Sequence, residues 1–291
     1  MNKLQIETIA VDNNKSNHHN IHHIKQEHNQ GNSQIPKNNN QHKHHQQQQN
    51  NQTFRYNVNL KFEPQIPTAG KTTTISIHIT EQKTGNIIQN FETIHDKLIH
   101  LIIISEGDLS YFEHIHPAHD TYRGMFFINH TFPESGNYKI WIDFKPKDGI
   151  QTLAAFKFNV TGNPIHKPIA IKNNRQYIKI VDGKYQITLK VPKEIIANDD
   201  VDITFSIANI KGNPITDLQP LMGAGGHSVI ISSNAQEFLH VHPAQEVSAN
   251  WKGGPDIQFK ANFPLSGLYK AWGQFQHENK TVTADFIIEV L

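Results

Sequence analysis

From about residue 55 to the C-terminus, apolar side chains fall at every second position or in short unbroken runs, and no stretch sustains a helical period. In the first half these runs lie near 55–63, 73–80, 98–105, 110–116, 124–132, 137–145 and 152–160, parted by clusters of Gly, Asn, Asp and Pro. Each run has the length of a strand. The pattern then returns: Phe112-Glu113-His114-Ile115-His116-Pro117-Ala118 reappears as Phe238-Leu239-His240-Val241-His242-Pro243-Ala244, and 132–141 reappears as 263–272. The agreement extends to Tyr56 and Leu60 against Tyr185 and Leu189, and to Gly85-Asn86 against Gly212-Asn213. Self-similarity over this length marks two homologous domains.

Seven short strands per copy is the number found in an immunoglobulin-like β-sandwich. The phrase around Pro133, Gly136 and Tyr138, and its partner around Pro264, Gly267 and Tyr269, resembles the corner of such sandwiches where a tyrosine hydroxyl bonds back to the backbone. Trp141 and Trp272, three residues on, belong to the core or its edge. The expected fold class is therefore all-β, with two tandem sandwiches at 54–162 and 177–291 joined by a proline-broken linker at 163–176. Ahead of them, 1–53 is rich in Asn, Gln and His, with too little apolar surface to offset the entropy of ordering, so a disordered tail is expected.

Composition narrows the function classes. The chain has no cysteine, which removes disulfides, thiolate metal sites and thiol nucleophiles. Its 27 Lys and Arg nearly cancel 26 Asp and Glu, and no basic stripe with interleaved aromatics is present, so a nucleic-acid partner is not expected. No apolar run approaches the roughly 20 residues of a spanning helix, and the first residues lack the apolar segment of an export signal. A membrane span is not expected, and the sequence leaves the compartment open. No glycine-flanked serine, phosphate loop or framed carboxylate pair suggests a catalytic site.

What remains is 20 histidines, six of them at matched places in the repeats. On an extended strand residues two apart share a face, so His114 and His116 project together, as do His240 and His242. A short turn at 106–108 or 233–234 folds this strand back on the one bearing His100 or His227, and the hairpin brings three imidazoles together in each copy. Pro117 and Pro243 end the strand, which places each triad near the solvent-facing rim. Three imidazoles with an open position suit Cu(II) or Zn(II). Weaker candidate ligands are His95 with its counterpart Met222, His119 and Asp120, and Glu246, whereas His78, His130, His166 and His277 lack counterparts and are expected on the surface.

The segments 97–117, 221–227 and 240–243, with their His-x-His-Pro motifs, resemble an uncharacterised family of prokaryotic secreted or membrane-attached β-sandwich proteins described as heavy-metal-binding. That resemblance covers nearly all of 55–291. It implies an extracytoplasmic metal-binding role through His100, His114, His116, His227, His240 and His242, beside a metal-efflux or acceptor protein. Two alternatives belong to other classes. The spacing from His114 to Asp120 and from His240 to Glu246 is similar to the first metal motif of cupins, which implies a metal-dependent enzyme, although the downstream ligand histidine is missing. Adhesive tandem modules with incidental histidines are the other. The reading chosen is a non-enzymatic copper or zinc protein with a three-histidine site in each repeat.

Overall fold

A computed structural model describes residues 5–10, 56–162, 171–173, 175–241, 243 and 247–291. Among them every regular element is a strand. The N-terminal segment supplies β1 (Gln5–Ala10), and the first repeat contains β2 (Tyr56–Glu63), β3 (Thr72–Glu81), β4 (Phe91–Glu92), β5 (Ile99–Ser105), β6 (Phe112–Ile115), β7 (Ala118–Asp120), β8 (Met125–Thr131), β9 (Gly136–Pro146) and β10 (Thr152–Val160). The second contains β11 (Ile178–Val181), β12 (Tyr185–Lys190), β13 (Asp200–Asn209), β14 (His227–Ser232), β15 (Phe238–Val241), β16 (Asp256–Asn262), β17 (Gly267–His277) and β18 (Lys280–Val290). The chain is all-β and consists of two repeated sandwiches, as the periodicity implies. Most of the expected tail and most of the expected linker lie outside the described residues. One piece of the tail differs from expectation: β1 pairs antiparallel with β10 along the edge of the first sandwich, Ile6 opposite Phe156.

The four sheets run β2-β3-β8-β7, β1-β10-β9-β5-β6 with β4 also on β9, β15-β14-β17-β18, and β11-β12-β13-β16. Outer strands alternate as half-buried strands must. Along β2, Tyr56, Val58, Leu60 and Phe62 are buried while Asn57, Asn59, Lys61 and Glu63 are exposed. Both tyrosine corners form, with Tyr138 Oη donating to the Glu134 carbonyl at 3.0 Å and Tyr269 Oη to the Leu265 carbonyl at 2.8 Å.

β5 and β14 behave differently, and the difference sets the architecture. Leu101 and Ile103 point into the first sandwich and Ile230 into the second. Ile102, Ile104, Val229 and Ile231 point the other way, into a third apolar cluster with Leu109, Trp141, Leu153, Ala155, Ala235, Phe238 and Trp272. The inner sheets of the two repeats are therefore packed face to face. Strands covered on both faces need apolar side chains at every position, which is why these two read as unbroken runs.

The contacts across this interface come in reciprocal pairs. Phe112 stacks on Trp272 with ring centroids 4.5 Å apart, and Phe238 stacks on Trp141 at 5.1 Å. Lys139 Nζ donates to the Ala235 carbonyl at 2.7 Å, and Lys270 Nζ to the Leu109 carbonyl at 2.8 Å. Leu109 and Ala235 share the same left-handed backbone, with φ of 49° and 55°. Each pair consists of equivalent residues exchanged between repeats, so the chain is an internal dimer with an isologous interface.

Trp141 is fully buried in this shared core. Replacing it with alanine is expected to destabilise the protein by about 3–5 kcal/mol, the cost of deleting a large buried aromatic. Urea denaturation measures it, and a loss under about 1 kcal/mol would contradict the face-to-face packing.

Candidate metal centre

The His114–His116 pair sits where the chain leaves one sheet for the other. β6 ends at Ile115 and β7 begins at Ala118 in the opposite sheet, so His116 and Pro117 make the crossover. In the β5–β6 register Leu101 is opposite Ile115 and Ile102 opposite His114, which brings His100 level with His116. His100 leaves β5 on the same side as Ile102 and Ile104, toward the second repeat rather than into its own sandwich.

The three rings converge. His100 Nδ1 lies 2.9 Å from His114 Nε2 and 3.1 Å from His116 Nε2. All three candidate ligand atoms lie within 4.8 Å of one another. The outer sides of two rings are fixed. His100 Nε2 donates to the Ile94 carbonyl at 2.7 Å, and His114 Nδ1 to Gln274 Oε1 at 2.9 Å. A carbonyl oxygen only accepts, so those nitrogens carry the protons and the facing nitrogens, His100 Nδ1 and His114 Nε2, are both lone-pair acceptors. Two acceptors at hydrogen-bond distance repel unless a cation stands between them.

A proton is a poor candidate for that cation. Burial, reinforced by the His114 imidazole, lowers His100 to about 4. Burial also lowers His114 to about 4 and His116 to about 2. Desolvation penalises an imidazolium here, and neutral rings are the form that ligates metal.

The second repeat repeats the arrangement and adds to the same centre. His227 Nε2 donates to the Leu221 carbonyl at 2.9 Å, just as His100 bonds to Ile94. Both carbonyls open a tight turn, Ile94 to Lys97 and Leu221 to Ala224, with two central residues in the left-handed region: His95 and Asp96 at 48° and 62°, Met222 and Gly223 at 48° and 73°. Gln274, which holds His114, pairs with His227 on the ladder, while Asp143, its equivalent, pairs with His100. Asp143 Oδ2 in turn lies 3.6 Å from His240 Nδ1, across the interface. The ring of His240 stands 5.4 Å from that of His100 and 5.3 Å from that of His114, and His114 stands 6.1 Å from His227.

The expectation of separate triads at solvent-facing rims is thus corrected. His100 and His227 have no exposed surface and His240 only 3%. His100, His114 and His116 form one cluster with His227 and His240 under the apolar interface, because both β5 and β14 turn their second faces inward. His95 joins it from the turn, 5.5 Å from His227. Met222 occupies the matching turn. His119 does not join: it lies in the β2-β3-β8-β7 sheet, stacked on Phe126 at 4.4 Å. Asp120 binds Arg123 at 3.1 Å instead. His242 and Glu246 lie outside the described residues, as do the tail histidines and His166. His277 is buried rather than on the surface, bonded to Tyr185 Oη at 2.9 Å and Asp217 Oδ1 at 3.1 Å. Gln274 and Asp143 escaped the sequence reading, although their matched position two residues after each tryptophan is a signal that repeat alignment carries.

The chain belongs to the family described as a domain of unknown function (DUF8832), whose model matches residues 46–162 and 179–291. No curated protein matches it. Solved structures similar to it include three N-terminal domains of the outer capsid protein Hoc of bacteriophage RB49, at 10% identity and TM-score 0.21, covering 81% of this chain and 59% of that one. A Salmonella alpha-2-macroglobulin matches at 11% identity and TM-score 0.25, covering 82% of this chain and 15% of that one. A trypsin-activated alpha-2-macroglobulin from Escherichia coli matches at 11% and 0.22, covering 81% and 16%. The chain spans less than two thirds of each.

The lowered values of the cluster dictate how the metal-free protein responds to acid. Each folded value lies below the unfolded imidazole's 6.5, so the unfolded chain binds more protons between pH 6.5 and about 4. Stability is complete above pH 6.5 and is lost as the pH falls through the folded values. Thermal melts with a chelator present should show the midpoint dropping steadily over that window; a midpoint that is flat there would contradict neutral, buried imidazoles.

Proposed function

We propose that the protein binds a transition-metal ion, Cu(II) or Zn(II), through His100, His114 and His116, and that it buffers or transfers the ion without catalysing a reaction on it. One observation carries the reading: two imidazole nitrogens, each made an acceptor by a hydrogen bond on the far side of its ring, stand 2.9 Å apart with a third 3.1 Å away. A cation between them turns repulsion into three coordinate bonds. Bonds of about 2.0–2.1 Å place neighbouring donors roughly 2.8 Å apart in square-planar and 3.4 Å apart in tetrahedral geometry, and both distances from His100 Nδ1 fall between the two. The donor set is nitrogen alone, which disfavours calcium and magnesium.

Gln274 supports the reading as the residue that orients a ligand. A hydrogen bond to the outer nitrogen of a ligating histidine fixes its tautomer and raises its basicity. Here that bond comes from the other repeat. The resemblance to heavy-metal-binding sandwich proteins supports an extracytoplasmic role beside a metal-efflux or acceptor protein, and the half-buried His116 at the crossover gives an ion its way in and out. The cupin-like reading needs Asp120, which faces Arg123 rather than the cluster.

Two substitutions test the site in the full chain with the tail histidines at 18, 19, 22, 23, 28, 42, 44 and 45 changed to asparagine. Gln274→Leu is expected to weaken Cu(II) or Zn(II) binding by about 10–100-fold, the usual effect of losing an outer-shell partner. His116→Ala should weaken it further, since a ligand itself is lost, while circular dichroism stays unchanged. Competition titration against a chelator measures both. Unaltered affinity in His116→Ala would refute the reading.

A further inference from the structure

We propose that the ion is a clasp between the two repeats: its binding on His100, His114 and His116 and the docking of the second repeat strengthen each other through Gln274. This rests on the metal-binding reading above and extends it to regulation of the same site. The three rings all belong to the first repeat, yet their supports do not. His100 is tied through Nε2 to the Ile94 carbonyl of its own repeat, 2.7 Å away. His114 is tied through Nδ1 to Gln274 Oε1 at 2.9 Å, across the interface and 160 residues along the chain. Undocking therefore leaves one ligand fixed and frees another to turn.

Gln274 is built into the second repeat before it meets His114. It lies on β17, level with His227 on β14 and with Thr283 on β18. Its Nε2 donates to Thr283 Oγ1 at 3.4 Å, which directs Oε1 at the imidazole. The residue is only 8% exposed, so the His114 N–H takes the place that water would have on an open sheet. A buried carbonyl that loses its donor costs free energy, and this bond therefore favours docking even in the metal-free protein.

An ion on His114 acts on that bond directly. Coordination at Nε2 draws electron density from the ring and makes the Nδ1–H a stronger donor, so the bond to Gln274 gains part of the strength of a charge-assisted one. Docking, in turn, presents Nε2 to the ion in a fixed tautomer and orientation. Two events that favour each other do so by a single factor, seen as tighter metal binding in the docked chain and as tighter docking in the loaded one. Loss of an outer partner costs about 10–100-fold in metal affinity, and that is the factor expected in both directions.

The experiment uses the full chain with the tail histidines changed to asparagine and a protease site placed in the linker 163–176, so that after cleavage the interface alone holds the repeats together. Each repeat keeps an apolar core of its own. Fluorescence anisotropy measures dissociation of the halves with and without saturating Zn(II). Zn(II) should tighten their association about 10–100-fold, and Gln274→Leu should remove most of that tightening at the same saturation. The uncleaved chain gives a second reading through Trp141 and Trp272, both buried in the interface. In mild urea, saturating Zn(II) should lower their quenching by acrylamide in the parent and leave it nearly unchanged in Gln274→Leu. Zn(II) that binds the parent without moving either reading would overturn the clasp and leave the three-histidine site standing. Tightening that survives in Gln274→Leu would overturn Gln274 as the link. A parent that binds no Zn(II) would overturn both this inference and the metal reading beneath it.

Discussion

Everything about the histidine cluster follows from the apolar contact between the two inner sheets. β5 and β14 carry side chains for two cores at once, their own sandwich and the shared interface. The interface removes water from the imidazoles that share its face. Without that cover His100 and His227 would line an open sheet surface and titrate as ordinary imidazoles. With it, Lys139 and Asp143 are nearly fully buried, and their polar ends are held by hydrogen bonds: Lys139 by the Ala235 carbonyl and Asp143 by Gln151. The desolvation that makes protonation unfavourable is what keeps the imidazoles neutral.

The isologous geometry makes each repeat the outer partner of the other. Gln274 fixes His114, and Asp143 stands behind His240. The three converging imidazoles lie in the first half, and the hydrogen bond that orients one of them comes from the second. A duplicated, fused pair therefore gains something that two separate domains do not have, since the orientation of His114 in one half depends on docking of the other.

Much of this was legible in the sequence, and the rest has identifiable reasons. Alternation along β2 and β13, the tyrosine corners and the repeat register all follow from local chemistry, so the sandwiches and the triad of His100, His114 and His116 could be read directly. The joining of the two halves was not read. Its signal was the unbroken run Leu101-Ile102-Ile103-Ile104 and its partner Val229-Ile230-Ile231, which an exposed sheet face would not tolerate. Pro117 ends its strand as expected, but it marks a crossover between sheets rather than an open rim. β1 escaped because six residues carry little periodicity and their pairing with β10 is long-range. His277 escaped for a similar reason: Tyr185 and Asp217, its partners, are far away in sequence.

The repeats have diverged at positions beside the clustered imidazoles. Where the first has His95 the second has Met222, and where the first has Asp143 the second has Gln274. The imidazole of His114 is thus backed by a neutral amide and that of His240 by a carboxylate. A carboxylate makes the ligand more basic and brings a negative charge to a set of otherwise neutral donors, which offsets part of the cost of burying a divalent ion. The amide orients without adding charge. The two halves therefore differ in field: His240 faces a carboxylate, while His114 is held by an amide beside the half-buried His116.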